Sequence, residues 1–184
     1  MGSQARPVPI QFRLPNLIVN LHHAAYSIAL CQQHPQLTAV VFDGEQALTL
    51  GRQAIATAGV GDRVQTQVGN FLVDELGTGY DLILLFNIIH GFTAEQNVAL
   101  LHKAKAALNP GGRVVMLDQS AGSVPLPMLN AAAHLFSLSF FLRVGGQLYT
   151  YAQIQQWLTT AGFGKGQRPR IVKAGSPLII AERV

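Results

Sequence analysis

His90 and Asp118 are the two residues of this chain best placed to move a proton. An imidazole ionises near neutral pH and can accept a hydroxyl proton, and a carboxylate beside it can orient the ring. Each residue follows an apolar run. Asn87 to His90 come directly after residues 81–86, and Asp118 comes directly after residues 113–117. Both runs have the length and near-continuous hydrophobicity of strands buried on two faces. Ligands of α/β proteins sit beyond the carboxyl ends of such strands, so on adjacent strands the histidine and the carboxylate face one crevice.

The residues between the runs supply the connection that this arrangement needs. Thr93 and Gln96 form a Thr-x-x-Gln capping box, which satisfies the first free amides of a helix. Val98, Leu101, Ala104 and Leu108 then recur at three- and four-residue spacing, predicting a helix with one core-facing stripe. Asn109-Pro110-Gly111-Gly112 stops it, because proline cannot continue a helix and glycine accepts a left-handed turn. Strand, helix and strand in this order imply a parallel sheet with a right-handed crossover.

The rest of the chain continues the alternation. Residues 1–15 hold three prolines and no periodicity, so they are expected to be irregular, with one domain over residues 16–184. A short apolar run at 17–19 is a candidate first strand. A helix is expected over 24–33, a strand over 37–42 ending at Asp43, a helix over 45–58 and a strand over 63–68 before Gly69-Asn70-Phe71. Pro125 and Pro127 precede a helix over 128–142, and a second Thr-x-x-Gln box at Thr150 and Gln153 opens a helix through Trp157. Strands over 170–173 and 178–182 are joined too tightly for a crossover, so they pair antiparallel.

Composition narrows the function classes. At 184 residues, 49% hydrophobic and 12% charged, the chain is a globular domain able to bury a sizeable core. The formal net charge of +4 is mildly basic. The one local cluster, Lys165, Arg168, Arg170 and Lys173, has no aromatic residues interleaved with it, and reads as a solvated edge rather than a nucleic-acid surface. A single cysteine, Cys31, excludes a disulfide framework and a Cys-rich metal site, and reads as a small core residue in a reducing compartment. No metal is expected. The most apolar window, 131–142, is shorter than the roughly 20 residues that span a bilayer, and no leader is evident. A cytoplasmic protein without a membrane partner is expected.

In its punctuation the chain resembles the S-adenosylmethionine-dependent class I methyltransferases, and most closely the small-molecule O-methyltransferases related to the acetylserotonin and caffeic acid enzymes. The similarity rests on SIALCQQHPQLTAVVFD, GDRVQTQVGNF, the block from Tyr80 to Asp118, GGQLYTYAQIQQWLTTAGF and the closing hairpin. It implies a Rossmann-like α/β fold, a mostly parallel sheet flanked by helices with a C-terminal antiparallel hairpin. It implies S-adenosylmethionine as cofactor, a small-molecule hydroxyl as acceptor and, as in that family, a homodimer. By position, Asp43 matches the acidic residue that holds the cofactor ribose. On its own, Asp43 reads equally as a turn or N-cap residue before the helix at Glu45. Asn70 and Phe71 match the adenine site, although Phe71 fits ordinary core packing as well. Asn87, at its strand end, joins the cofactor group. His90 matches the family's general base and Asp118 the acidic residue that supports it; both also fit structural roles at strand ends. Met128, Asn130 and His134 fall where the family builds its substrate pocket, and also read as helix-packing residues.

The chain departs from the family at three places. The glycine-rich loop after the first strand is replaced by Ile18-Val19-Asn20-Leu21-His22-His23-Ala24, with side chains at Leu21 and His22 where glycine lets the backbone approach the cofactor. The family's second catalytic glutamate is Leu148. The helical N-terminal half that dimerises and walls the substrate pocket has no counterpart in this sequence. An inactive or truncated methyltransferase-like domain working through protein contacts is therefore the alternative function.

Overall fold

The computed structural model describes residues 24–120, 147–169 and 177–184. The expected strand at 17–19, helix at 128–142 and strand at 170–173 lie outside these residues. Within them the alternation holds, as α1 (Ala25–Gln33), β1 (Ala39–Asp43), α2 (Glu45–Thr57), β2 (Val64–Val68), β3 (Tyr80–Phe86), α3 (Ala94–Ala107), β4 (Leu108–Leu117), α4 (Tyr151–Thr160) and β5 (Leu178–Glu182). A single 3₁₀ turn, Ile89–Gly91, lies between β3 and α3.

β1 and β2 pair in parallel, from Ala39 opposite Val64 to Asp43 opposite Val68. β3 and β4 pair in parallel, from Leu82 opposite Arg113 to Phe86 opposite Leu117. β5 closes this ladder antiparallel to β4, with Arg113 opposite Glu182 and Leu117 opposite Leu178. On its other side β5 exchanges both backbone bonds with Gln167, at 2.8 and 3.0 Å through Ile180.

The side chains of β3 and β4 divide by parity, as expected of strands covered on both faces. Ile83, Leu85, Val114, Met116, Ile179 and Ala181 meet α3 and α4 in one apolar cluster with Leu101 and Trp157. Leu84, Phe86 and Val115 meet Cys31, Leu48 and Ile55 of α1 and α2 in the other. The result is a layered sandwich, helices on either side of the strands.

Both capping boxes form. Thr93 Oγ1 accepts the Gln96 amide while the Gln96 side chain takes the Thr93 amide, and Thr150 and Gln153 repeat the arrangement. Replacing Thr93 by alanine removes the cap at the head of α3. It is expected to cost about 1 kcal/mol, seen as a melting temperature about 2–4 °C lower by circular dichroism.

The phase of α3 differs from expectation. Its buried row is Asn97, Leu100, Leu101, Ala104 and Ala107, while Val98 is only half-buried and Leu108 already belongs to β4. A stripe of three- and four-residue spacings fits neighbouring phases almost equally well. The row that wins here includes a polar residue, because Asn97 has partners in the turn beside it.

The Asn109-Pro110-Gly111-Gly112 segment ends α3 as expected, and the regular β3–β4 ladder begins only after it. Gly111 has φ of +74°, and a Cβ at Gly112 would stand 2.8 Å from the Asn109 carbonyl oxygen. Asn109 Nδ2 donates to Asp81 Oδ1 at 2.8 Å and to the Gly79 carbonyl at 3.1 Å. The Arg183 guanidinium donates to the Leu108 carbonyl and its amide to that of Gly112.

Candidate functional site

The described strands form two sheets, β1–β2 and β3–β4–β5, and parallel pairing within each sets the expected site residues at carboxyl ends of strands. Asp43 ends β1, Asn70 and Phe71 follow β2, Asn87 follows β3 and Asp118 follows β4. At Asn87 the amide still donates to the Leu117 carbonyl at 2.8 Å, and then φ of +55° turns the chain out of the sheet. Asparagine tolerates that left-handed conformation better than most residues.

The turn that follows lays His90 against Asp118. His90 Nδ1 stands 2.6 Å from Asp118 Oδ1. The other carboxylate oxygen accepts the Ile89 amide at 3.0 Å, and Oδ1 also takes the Gln119 amide at 2.7 Å. Asp118 is 4% exposed, so its carboxylate oxygens are satisfied by these protein partners rather than by water. An ionised carboxylate only accepts, so a ring paired with it through Nδ1 donates its proton there. The His90 side chain is 16% exposed, buried enough to be held and open enough to meet a ligand.

Two further residues hold the turn. Asn97, 1% exposed on α3, donates through Nδ2 to the Ile89 carbonyl at 2.9 Å and to the Phe92 carbonyl at 3.3 Å. Tyr149 donates its hydroxyl to the same Phe92 carbonyl at 2.6 Å. Burial pushes the Tyr149 hydroxyl pKa up, so it stays protonated and remains a donor. Sequence reasoning missed both. The signal for Asn97 was a polar residue interrupting an apolar row; for Tyr149 there was none, because its partner is distant in sequence.

The cofactor candidates are organised by local bonds. Asp43 Oδ1 accepts the Gly44 amide at 2.7 Å, which holds the carboxylate over the start of α2. Asn70 Oδ1 accepts the Leu72 amide at 3.0 Å, an Asx turn that leaves its Nδ2 group as the donor it can present to a ligand. Lys103 on α3 donates to the Phe71 and Asp74 carbonyls at 3.3 and 2.9 Å, tying this loop down. The Phe71 ring meets Phe92 edge to face, with centroids 5.2 Å apart. Phe71 thus packs on the core while keeping part of its surface exposed.

Met128, Asn130 and His134 lie outside the described residues, as does the loop with Leu21 and His22. Leu148 is half-buried beside Tyr149, whose backbone bridges to Ser120 next to the Asp118 strand end. Of the basic cluster, Arg168 lies over the Tyr151 ring at 4.8 Å, and Lys165 is exposed. Among the described residues no group of His, Cys, Asp or Glu could hold a metal ion, and no helix is long and apolar enough to cross a membrane.

A family model, the O-methyltransferase domain, matches residues 23–164. The chain is similar to 3-hydroxy-5-methyl-1-naphthoate 3-O-methyltransferase of Streptomyces sahachiroi, 31% identical over 154 residues, covering 84% of this chain and 44% of that protein. It is similar to L-tyrosine C(3)-methyltransferase of Streptomyces lavendulae, 33% identical over 148 residues, covering 80% of this chain and 40% of that one. Among solved structures, the S-adenosylmethionine-dependent methyltransferase SibL in its apo form superposes with a TM-score of 0.78 at 28% identity, over 92% of this chain and 50% of that one. The chain spans half the length, or less, of these relatives.

Proposed function

Because the chain belongs to the O-methyltransferase domain family, whose chemistry depends on S-adenosylmethionine, we propose that it methylates a hydroxyl of a small aromatic molecule with His90 as general base. The observation that carries this reading is the His90–Asp118 pair at the carboxyl edge of the sheet, 2.6 Å from nitrogen to oxygen. When bound, the cofactor supplies an electrophilic methyl group on a sulfonium.

The chain's own residues supply position and proton transfer. Asp118 keeps the Nδ1 proton and fixes the ring. Nε2 accepts the acceptor's hydroxyl proton as the oxygen attacks, and the imidazolium that forms is held by the buried carboxylate. The fit to the nucleoside half of the cofactor is good. Asp43 offers a carboxylate for a vicinal diol, Asn70 an amide donor for a ring nitrogen, and Phe71 an exposed aromatic surface. Asn87, where the chain leaves β3 just before the base, joins this group. The residues that would face the methionine half are outside the described ones.

The acceptor class follows from the same proton. By their names, one relative methylates the 3-hydroxyl of a naphthoate and the other C(3) of L-tyrosine. Removal of a phenol proton activates both the oxygen and the adjacent ring carbon, so a phenol is the acceptor His90 suits best.

Calorimetric titration with S-adenosylhomocysteine tests the cofactor site. Micromolar binding is expected, weakened at least about tenfold in Asp43→Ala, since loss of a charged hydrogen-bond acceptor is worth about 1.5–3 kcal/mol. No heat of binding to a folded chain would sink the enzymatic reading and leave the protein-contact alternative.

A further inference from the structure

We propose that Asn97, assisted by Tyr149, is a positioning residue that sets His90 in place before any ligand arrives. The inference rests on the reading of His90 as base, and goes beyond it by assigning what holds the base still.

A single 3₁₀ turn is too short to hold itself. Within the Ile89–Gly91 turn the Gly91 amide donates to the Ile88 carbonyl at 3.0 Å and the Phe92 amide to the Ile89 carbonyl at a long 3.4 Å. Its geometry must come from outside. Asp118 grips one side, through the Ile89 amide and the His90 ring. Asn97 grips the other, bonding the carbonyl just before His90 and the carbonyl two residues after it. Tyr149 doubles the second anchor, with its ring edge-on to Trp157 at 4.5 Å.

The chemistry of Asn97 argues that the donors are its purpose. Its Oδ1 is buried without a hydrogen-bond partner among the described residues, which is unfavourable for a polar atom. An alkyl side chain in the same row of α3 would pack without that cost. What an alkyl group lacks is two N–H donors aimed at the carbonyls flanking the base.

The test uses Asn97→Leu, which keeps the branched skeleton of four side-chain heavy atoms and removes the donors, with Tyr149→Phe as the second variant. Three readouts are taken: affinity for S-adenosylhomocysteine, kcat and KM on a phenolic acceptor found by screening, and the ¹⁵N signals of the His90 imidazole. In Asn97→Leu, unchanged cofactor affinity is expected, together with a kcat about 10- to 100-fold lower, the scale of a misplacement near 1 Å. The imidazole signals are expected to move from one fixed tautomer toward an average of two. Tyr149→Phe should show the same changes to a smaller degree.

A folded Asn97→Leu chain with wild-type imidazole signals and wild-type kcat overturns the proposal. If that variant does not fold, unchanged imidazole signals in Tyr149→Phe overturn it instead. The base reading fails separately: turnover that survives His90→Ala removes it, while the imidazole spectra still report whether Asn97 positions the ring.

Discussion

Replacing His90 by alanine is expected to lower kcat by about 10²- to 10⁴-fold, the usual contribution of a positioned general base. Affinity for S-adenosylhomocysteine should be unchanged, because the candidates for holding the nucleoside, Asp43, Asn70 and Phe71, are organised by bonds and ring contacts of their own. Asp118→Asn is the informative companion. Asparagine keeps the size but brings an N–H₂ group where the carboxylate now accepts from the Ile89 and Gln119 amides and faces His90 Nδ1. The ring is then free to carry its proton on the wrong nitrogen, and in hydrolases with a histidine–aspartate pair that error costs about 10⁴-fold. Steady-state kinetics over phenols of differing pKa test both variants. A phenol with a low pKa arrives already ionised and needs no base, so it should lose least in both. Equal losses on all phenols would count against proton transfer as the role of His90.

Trp157→Ala is expected to cause the largest loss of stability, about 3–5 kcal/mol. That is a large share of the 5–15 kcal/mol that holds a domain of this kind together, and it lowers the melting temperature by about 6–20 °C. Trp157 is 7% exposed on α4 and packs in the cluster with Leu101, Ile154 and Leu158. Because Trp157 is the chain's single tryptophan, its fluorescence disappears with it, and far-ultraviolet circular dichroism is the measurement to use. The Tyr149 ring loses its edge-to-face neighbour at the same time. A melting temperature within 2 °C of the parent would mean that α4 does not seal this face of the sheet.

Much of this was legible in the sequence, for identifiable reasons. Capping boxes at Thr93 and Thr150 and the Pro110-Gly111-Gly112 stop are local signals, and they placed the helix ends to within a residue or a few. Runs such as residues 81–86, apolar at nearly every position, marked strands covered on both faces. Strand ends then brought His90 and Asp118 together, because parallel neighbours share their carboxyl edge. What was not legible is what depends on phase and distance. The inward turn of Asn97 needs the exact rotation of α3, and helical spacing leaves that open by one residue. The Tyr149 bond to the Phe92 carbonyl joins positions that only the folded chain brings together. The positive φ of Asn87 follows from the demand to leave the sheet, which no local signal announces.

The bonds around Asn109 have a consequence at the far end of the sheet. Both faces of β4 are apolar, so sliding the strand by one position would still bury valine, methionine or leucine on either side. Burial alone is a weak judge of alignment in such a strand. Each position of sliding would nonetheless carry Asp118 about 3.3 Å along its neighbour, more than the 2.6 Å that now separates it from His90. The stop is provided at the opposite end, where Asn109 grips Asp81 and Gly79 and Gly112 admits no side chain. The tight turn that starts β4 therefore serves as the gauge that aligns the proton-transfer pair a strand-length away.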